Sequence, residues 1–376
     1  MVILFTILVI LLLTIERYLI ERRVRSIPIR IHVNGTRGKS SITRYITAIL
    51  SHAQYRTYGK ITGVVPSLIH PDGTHTPVRR RGKARVQEQF SILSAAAKDQ
   101  AQALVMECMS LKPEYQRIES RFIRPTITVL TAIEDDHREE MGGTDAEQVA
   151  AIAESIPENA VIISCDTKHL SVLQTIAETR QSRVVIAPSL NAFQIAQLPK
   201  GMFADNAALA VAAAVQAGVD ERTAYSVLMT FQQTGECTEL QINDIPVRFI
   251  NGFAVNDVPS ADRFMQYWKN GNSENETIII LNTRNDRPLR TKMFAQWCSG
   301  LKNIRQIYIT GDHSSYALRT LHGMNTVCTV LSGDDLTSQV TDAIVRPTDI
   351  FGFGNIASDG FHFIEQFLAR SVSNQW

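Results

Sequence analysis

Residues 29–41, IRIHVNGTRGKSS, form an alternating apolar strand that breaks into a glycine loop ending in Lys-Ser. Gly35 and Gly38 let the backbone turn with its N–H groups inward, because no Cβ obstructs the turn. Lys39 can then reach the β- and γ-phosphates of a nucleoside triphosphate, and the Ser40 hydroxyl can bind Mg²⁺. The apolar residues Ile42, Tyr45, Ile46, Ile49 and Leu50 follow at helical spacing. They predict a helix with one face on a sheet and the positive end of its dipole at the same phosphates. A strand before the loop and a periodic helix after it separate a phosphate-binding loop from a flexible Gly/Lys turn.

Two more positions suit metal-assisted phosphoryl transfer. Glu107 ends a short apolar strand predicted over 103–106, where a carboxylate beside a phosphate loop is a natural Mg²⁺ ligand. His137 follows Glu134, Asp135 and Asp136 at the end of the strand predicted over 127–130. Either residue alone could equally be a cap or a loop residue; together with the loop they form a coherent set.

These residues need a scaffold. Further strands are predicted over 161–164 and 184–187, with helical segments between strands, among them 87–98. That alternation predicts a parallel, doubly wound sheet, whose ligands collect at the strand carboxyl ends. Residues 60–76, rich in Gly, Pro and His, read as a long functional loop. The cluster Arg79, Arg80, Arg81, Lys83 and Arg85 follows, either a solvated loop or a guide for an anionic substrate. A strongly helical, alanine-rich stretch covers 205–217. Past residue 241, strands predicted over 247–250, 277–281, 306–309, 326–331 and 349–352 build a second, smaller α/β unit. The boundary is placed near 234–240, giving segments 1–25, 26–236 and 237–376.

The composition is that of a globular protein: 376 residues, 44% hydrophobic and 20% charged, with a net charge of +1. This gives no electrostatic case for a nucleic-acid partner. Five scattered cysteines without CxxC spacing predict neither a disulfide framework nor a metal site, and fit a reducing, cytosolic compartment. The amino terminus stands apart. Residues 2–15 are apolar except Thr6 and Thr14, and Arg17, Arg22, Arg23 and Arg25 follow. The absence of a positive n-region and of a cleavage site disfavours a signal peptide. The segment reads as an uncleaved membrane anchor with the rest of the chain in the cytoplasm; an amphipathic helix lying on the membrane or a partner is the alternative.

The usual phosphate loop has a glycine five residues before its Gly-Lys pair, where this chain has Val33. Such shortened loops are typical of the Mur ligase superfamily. The ordered motifs NGTRGKSSITR, ECMSLKPEYQ, EDDHREEMG, FADNAALAV, FINGFAVND, NTRNDRPLR and FGFGNIA resemble the poly-γ-glutamate synthase subunit of capsule biosynthesis, the CapB/PgsB family. The likeness covers nearly the whole chain. It implies an α/β fold: a P-loop-containing, Mur-ligase-like central domain with a parallel sheet, and a smaller C-terminal Rossmann-like domain.

The resemblance also implies roles for residues. Gly35, Thr36, Arg37, Gly38, Lys39, Ser40 and Ser41 would hold the phosphates of ATP, and Ser40, Glu107 and His137 would hold Mg²⁺. Asn206 would meet adenine; Asn256 and Asp257 would approach the ribose. Arg284, Asp286 and Arg287 would close over the phosphates, with Gly352, Gly354 and Asn355 on the far wall. One departure stands out. Many Mur ligases hold a second Mg²⁺ through a carbamylated lysine some fifteen residues after the metal histidine, and no lysine lies between His137 and Asp166 here.

The expected activity is ATP-dependent addition of glutamate to poly-γ-glutamate through an acyl phosphate, releasing ADP and phosphate. Expected partners are glutamate, the polyglutamate chain, the cell membrane and membrane subunits of a synthesis and export complex, with a homo-oligomer possible. The alternatives are a folylpolyglutamate-synthase-like or other amino-acid ligase, and a nucleotide-binding scaffold of an export complex.

Overall fold

The computed structural model describes residues 2–372 except 63–65, 79–84, 135–137, 200, 232–236, 254, 256, 270–273, 286, 324–325 and 356–358. The chain divides into two compact units, Met1–Phe231 and Gln232–Trp376.

In the first unit, helix α1 (Val2–Ser26) leads into β1 (Ile29–Asn34), α2 (Lys39–His52), β2 (Thr57–Ile61), β3 (Ser67–Ile69) and β4 (His75–Pro77). Then come α3 (Gln87–Lys98), β5 (Ala103–Glu107), α4 (Pro113–Ile123), β6 (Ile127–Leu130), β7 (Val161–Ser164) and β8 (Arg183–Ile186). The eight strands form one sheet in the order β4-β3-β2-β5-β1-β6-β7-β8. The six from β2 to β8 run parallel; β3 and β4 add an antiparallel edge.

The central strands of the sheet are buried on both faces, which explains their apolar sequences. Along β5, Ala103 and Val105 pack with α2 and the helix Ala204–Gln216. Leu104 and Met106 pack on the opposite face with Ile92, Leu93 and Ile123 of α3 and α4. β1 obeys the same geometry, so its apparently solvent-facing alternates His32 and Asn34 are buried as well. They meet polar groups of α4 instead of water.

Two readings of the sequence change. The stretch 60–76 is no simple loop: Lys60 is a fully buried member of β2, and β3 and β4 lie within or across it. His70, Pro71 and Gly73 lie in the tight connection between β3 and β4. The second difference lies at the start of the second unit, where a strand was missed. Its order is β9 (Cys237–Ile242), β10 (Ile245–Asn251), β11 (Glu276–Thr283), β12 (Gln306–Gly311), β13 (Val327–Val330) and β14 (Thr348–Gly354). β9 pairs antiparallel with β10 across Asn243 and Asp244, both at positive φ (51° and 63°), the geometry of a tight two-residue hairpin. The other strands are parallel, in the sheet order β13-β12-β11-β14-β10-β9.

α1 is one continuous helix. Its exposed residues Ile3, Leu4, Phe5, Ile7, Leu8, Ile10, Leu11, Leu12 and Leu13 surround the axis and leave no polar face, which disfavours the surface-lying alternative. Residues Ile3–Ser26 are long and apolar enough to cross a membrane.

Ile46 lies at the centre of the α2–sheet contact with no exposed surface. Ile46→Ala is expected to lower unfolding free energy by about 3 kcal/mol, read from urea denaturation.

Candidate active site

β1 delivers the glycine loop, and the loop's shape is imposed by its neighbours. Gly35 has φ +126°, and a Cβ there would stand 2.1 Å from Thr131 Oγ1, just past the end of β6. Gly38 has φ +77°, and its Cβ would stand 2.4 Å from Asn206 Oδ1. Gly35 therefore leaves no room for a side chain, and at Gly38 a side chain would be strained by the backbone conformation and would have to displace the Asn206 amide. Gly38 is also the N-cap of α2, so the first turn's free N–H groups open beside the loop.

The functional side chains converge here. Lys39 Nζ curls back to donate to Gly35 O at 2.6 Å and Thr36 O at 3.3 Å, so the cation sits over the loop. Ser40 Oγ donates to Glu107 Oε2 at 2.9 Å. Thr62 N–H donates to the same oxygen at 2.7 Å, and Glu107 is only 4% exposed. A hydroxyl and a carboxylate meeting at the foot of a phosphate cradle are the hard oxygen donors that Mg²⁺ takes, so the residues present fit that ion. Arg37 pairs with Glu134 at 2.5 Å, and the Thr36 hydroxyl donates to Ala132 O at 2.8 Å. Thr36 Oγ1 also accepts Glu134 N–H at 3.1 Å, fastening the loop to the segment after β6.

Behind Glu107 lies a network with no local signal in the sequence. Gln89 Nε2 donates to Glu107 O at 3.0 Å and makes a short hydrogen bond to Glu119. Glu119, fully buried on α4, accepts Met109 N–H at 3.1 Å and the Ser110 hydroxyl at 2.7 Å. His32 Nε2 lies 3.5 Å from the same carboxylate, too far for a good hydrogen bond. Burial alone would raise the Glu119 carboxyl, but His32, Ser110 and Gln89 hold it below the usual carboxylate range. Glu119 thus stays a carboxylate that grips the turn just past Glu107. Asn34 is fixed in parallel, donating to Gln116 Oε1 at 2.7 Å.

A second cluster, with Asp166 and His169 buried and Asp145 exposed, steadies the segment after β6. Asp166 accepts Ile133 N–H at 2.9 Å and holds His169 Nδ1 at 2.8 Å; His169 Nε2 faces Asp145 at 3.0 Å. Burial pulls the His169 pKa down, but the two carboxylates outweigh it and leave it above the ordinary histidine value.

The other expected residues are distributed as follows. Asn206 lies in the first turn of Ala204–Gln216, its amide against Gly38, and Ser41 lies half-buried in the first turn of α2. In the second unit, Asp257 Oδ1 accepts Ser260 N–H at 2.8 Å, capping the helix Val258–Lys269. Arg284 follows β11, and its carbonyl accepts the N–H of Arg287, the N-cap of Pro288–Gly300. Gly352 and Gly354 lie at the end of β14, and Asn355 O accepts Asn282 Nδ2 at 2.6 Å. The Phe253 ring lies over Gly352, 2.4 Å from where a Cβ would be, a packing role. These residues gather at strand carboxyl ends within their unit. His137, Asp135, Asp136, Asn256, Asp286, Arg79, Arg80, Arg81 and Lys83 lie outside the described residues. Thr62, Gln89, Thr131 and Glu119 were not anticipated. Each acts through a backbone group or a contact distant in sequence.

Comparison with known proteins follows the same division. Residues 33–214 match the Mur ligase middle domain, and 237–370 match the poly-gamma-glutamate synthase CapB C-terminal domain. The chain is 34% identical over 285 residues to the capsule biosynthesis protein CapB of Bacillus anthracis, covering 73% of this chain and 61% of that one. It is 30% identical over 371 residues to the PGA synthase CapB of Bacillus subtilis (strain 168), covering 94% and 93%. Among solved structures, E. coli FolC in complex with DHPP and ADP superposes with a TM-score of 0.69 at 15% identity, over 94% of this chain and 92% of that one. At that identity the match concerns the fold.

Gly38→Ala is expected to weaken ATP binding at least tenfold, about 1.4 kcal/mol or more, in equilibrium titration with a fluorescent ATP analogue. His169 has a raised folded-state pKa, so the stability it adds is complete below its unfolded value of about 6.5 and is lost as pH rises through the folded one. The urea-midpoint difference between the native chain and His169→Ala should therefore be larger at about pH 6 than at about pH 9.

Proposed function

The chain belongs to the poly-γ-glutamate synthase CapB family, ATP-dependent amino-acid ligases of the Mur-ligase type, and we propose that it adds glutamate to poly-γ-glutamate through an acyl phosphate. The observation that supports this most directly is the meeting of Ser40 and Glu107 at 2.9 Å beneath a glycine loop whose lysine is already folded over it.

In this reading the loop N–H groups and the first turn of α2 bind the triphosphate of ATP, with Gly35 to Ser41 surrounding it. Lys39 exchanges its loop carbonyl partners for phosphate oxygens and neutralises charge as the γ-phosphoryl group moves. Ser40, Glu107 and His137 would hold Mg²⁺, which when bound offsets the charge spread over the phosphates. The terminal carboxylate oxygen of the growing chain attacks the γ-phosphorus, and the bond to the β-phosphate oxygen breaks, giving an acyl phosphate and ADP. The amine of an incoming glutamate then attacks the acyl carbon and loses a proton, and phosphate leaves. Asn206 contributes to the nucleotide pocket. The family resemblance gives Asp257 a ribose-binding role and Arg284 and Arg287 phosphate-binding roles.

The apolar helix α1 supports a membrane-anchored enzyme with its catalytic part in the cytoplasm, working beside membrane subunits that export the product. Soluble folates need no membrane site, so the anchor also weighs against a folate-type acceptor.

The test is ADP release with Mg²⁺-ATP, varied amino acids, and short γ-linked glutamate oligomers. Release should depend on both glutamate and oligomer. Lys39→Ala should reduce it at least a thousandfold, and Glu107→Gln at least a hundredfold, with unchanged melting temperatures. Glutamate-independent hydrolysis would point to another acceptor; polymer synthesis surviving in Lys39→Ala would point to a scaffold.

A further inference from the structure

α1 does not project freely from the body of its unit. Val24 and Ile27 at its base are buried with Leu93, Leu104 and Ile123. Glu21 pairs with Arg124 at 3.1 Å, and Arg23 donates to Ser94 at 3.4 Å. These contacts fix the last turns of α1 against α3 and α4.

Two adjoining concavities flank this junction. One, of about 470 Å³, runs between Leu13, Arg17 and Ile20 of α1 and Ile118, Arg121 and Phe122 of α4. The other, of about 870 Å³, is lined by Arg117, Arg121, Arg124 and Arg180, against only two glutamates, Glu154 and Glu158. Glu154 is already engaged by Arg117 at 2.6 Å and Arg180 at 3.5 Å. Arg121 is exposed and makes no ion pair among the described residues. On the same helix, Tyr115, Ile118 and Phe122 are 49%, 39% and 38% exposed, at spacings of three and four that place them on one face.

The depth of these features follows from α1. Its apolar run ends at Ile15 and its first arginine is Arg17, so Leu13 to Glu21 is the stretch that passes from hydrocarbon to headgroups. At 1.5 Å per residue this stretch is about 12 Å long, the scale of a headgroup layer. α4 faces that stretch through the smaller concavity, so its end lies at the level of the lipid phosphates.

The geometry points to α4 as a second, peripheral membrane contact, with an anionic phospholipid surface as its occupant. The Tyr115–Ile118–Phe122 face enters the interface, where aromatic and aliphatic side chains are favoured. The arginine-lined concavity takes a lipid phosphate, with Arg121 as the arm still free to bind it. The membrane then holds the catalytic unit in a fixed orientation, not on a swivelling tether. This rests on the anchor reading of α1 and is independent of the ligase chemistry.

The test uses the full chain in nanodiscs of palmitoyl-oleoyl phosphatidylglycerol and, separately, of palmitoyl-oleoyl phosphatidylcholine, read by amide hydrogen exchange over residues 113–124. Exchange should be at least threefold slower in the anionic discs. Arg121→Glu should remove most of that difference while leaving the melting temperature unchanged. Equal exchange in the two lipids overturns the proposal. So does slowing reproduced by inorganic phosphate in the zwitterionic discs, which assigns the concavity to a free anion. Protection that needs a co-expressed membrane protein in either lipid also overturns it, and makes the face a protein interface. A chain that enters neither disc refutes the anchor itself, a result separable from all of these.

Discussion

The site depends on the side-by-side pairing of β1 with β5. That register sets Val33 opposite Glu107, so the strand that ends in the phosphate loop and the strand that ends in a carboxylate finish together. The loop then rises one step beyond its strand and turns Ser40 back over Glu107. Slipping one strand by a single residue would turn the Glu107 side chain to the other face of the sheet. Parallel pairing of these buried strands tolerates no such slip, since Ile31, Val33, Ala103 and Val105 are committed to one apolar cluster and Leu104 and Met106 to the other. The core thus enforces the register on which the donor set depends.

Burial on both faces creates a second requirement, that polar residues on the central strands find partners inside the protein. Asn34 meets it through Gln116 on α4, whereas His32 Nε2 lies 3.5 Å from Glu119 and neither ring nitrogen has a hydrogen-bond partner among the described residues. An ionised carboxylate in such surroundings is costly unless well satisfied, and Glu119 is gripped by a backbone N–H, a hydroxyl and an amide. The same contacts fix residues 107–110. Glu119 and Gln89 hold the turn at Glu107 through the main chain and leave the carboxylate of Glu107 to Ser40 and Thr62. The helix Ala204–Gln216 acts from the other side. Its small side chains pack closely against α2, and the same approach lays Asn206 on Gly38.

The candidate site and the base of the apolar helix α1 share α4. α4 carries Glu119 on its inner face and Tyr115, Ile118 and Phe122 on its outer one. One helix therefore links the carboxylate that steadies the turn past Glu107 to the surface nearest α1.

Much of this was legible in the sequence, and the limit is physical. The glycine loop, the amphipathic α2 and the alternation of strands and helices are local patterns, set by backbone sterics and by the 3.6- and 2-residue periods. They disclosed the fold class, the glycine loop between β1 and α2, and Glu107 as the residue at a strand end. The tertiary structure alone decided that β5 inserts between β2 and β1, out of chain order. Ser40 and Glu107, 67 residues apart, meet for that reason. The Thr62 N–H has no side-chain signature to read, and the Gln89–Glu119 contact joins residues 30 apart on two different helices. The short edge strands β3 and β4 went unread because three residues are too few to show a period. Local patterns determine which elements form; which of them become neighbours is settled by burying two apolar faces at once, and the site is made of neighbours.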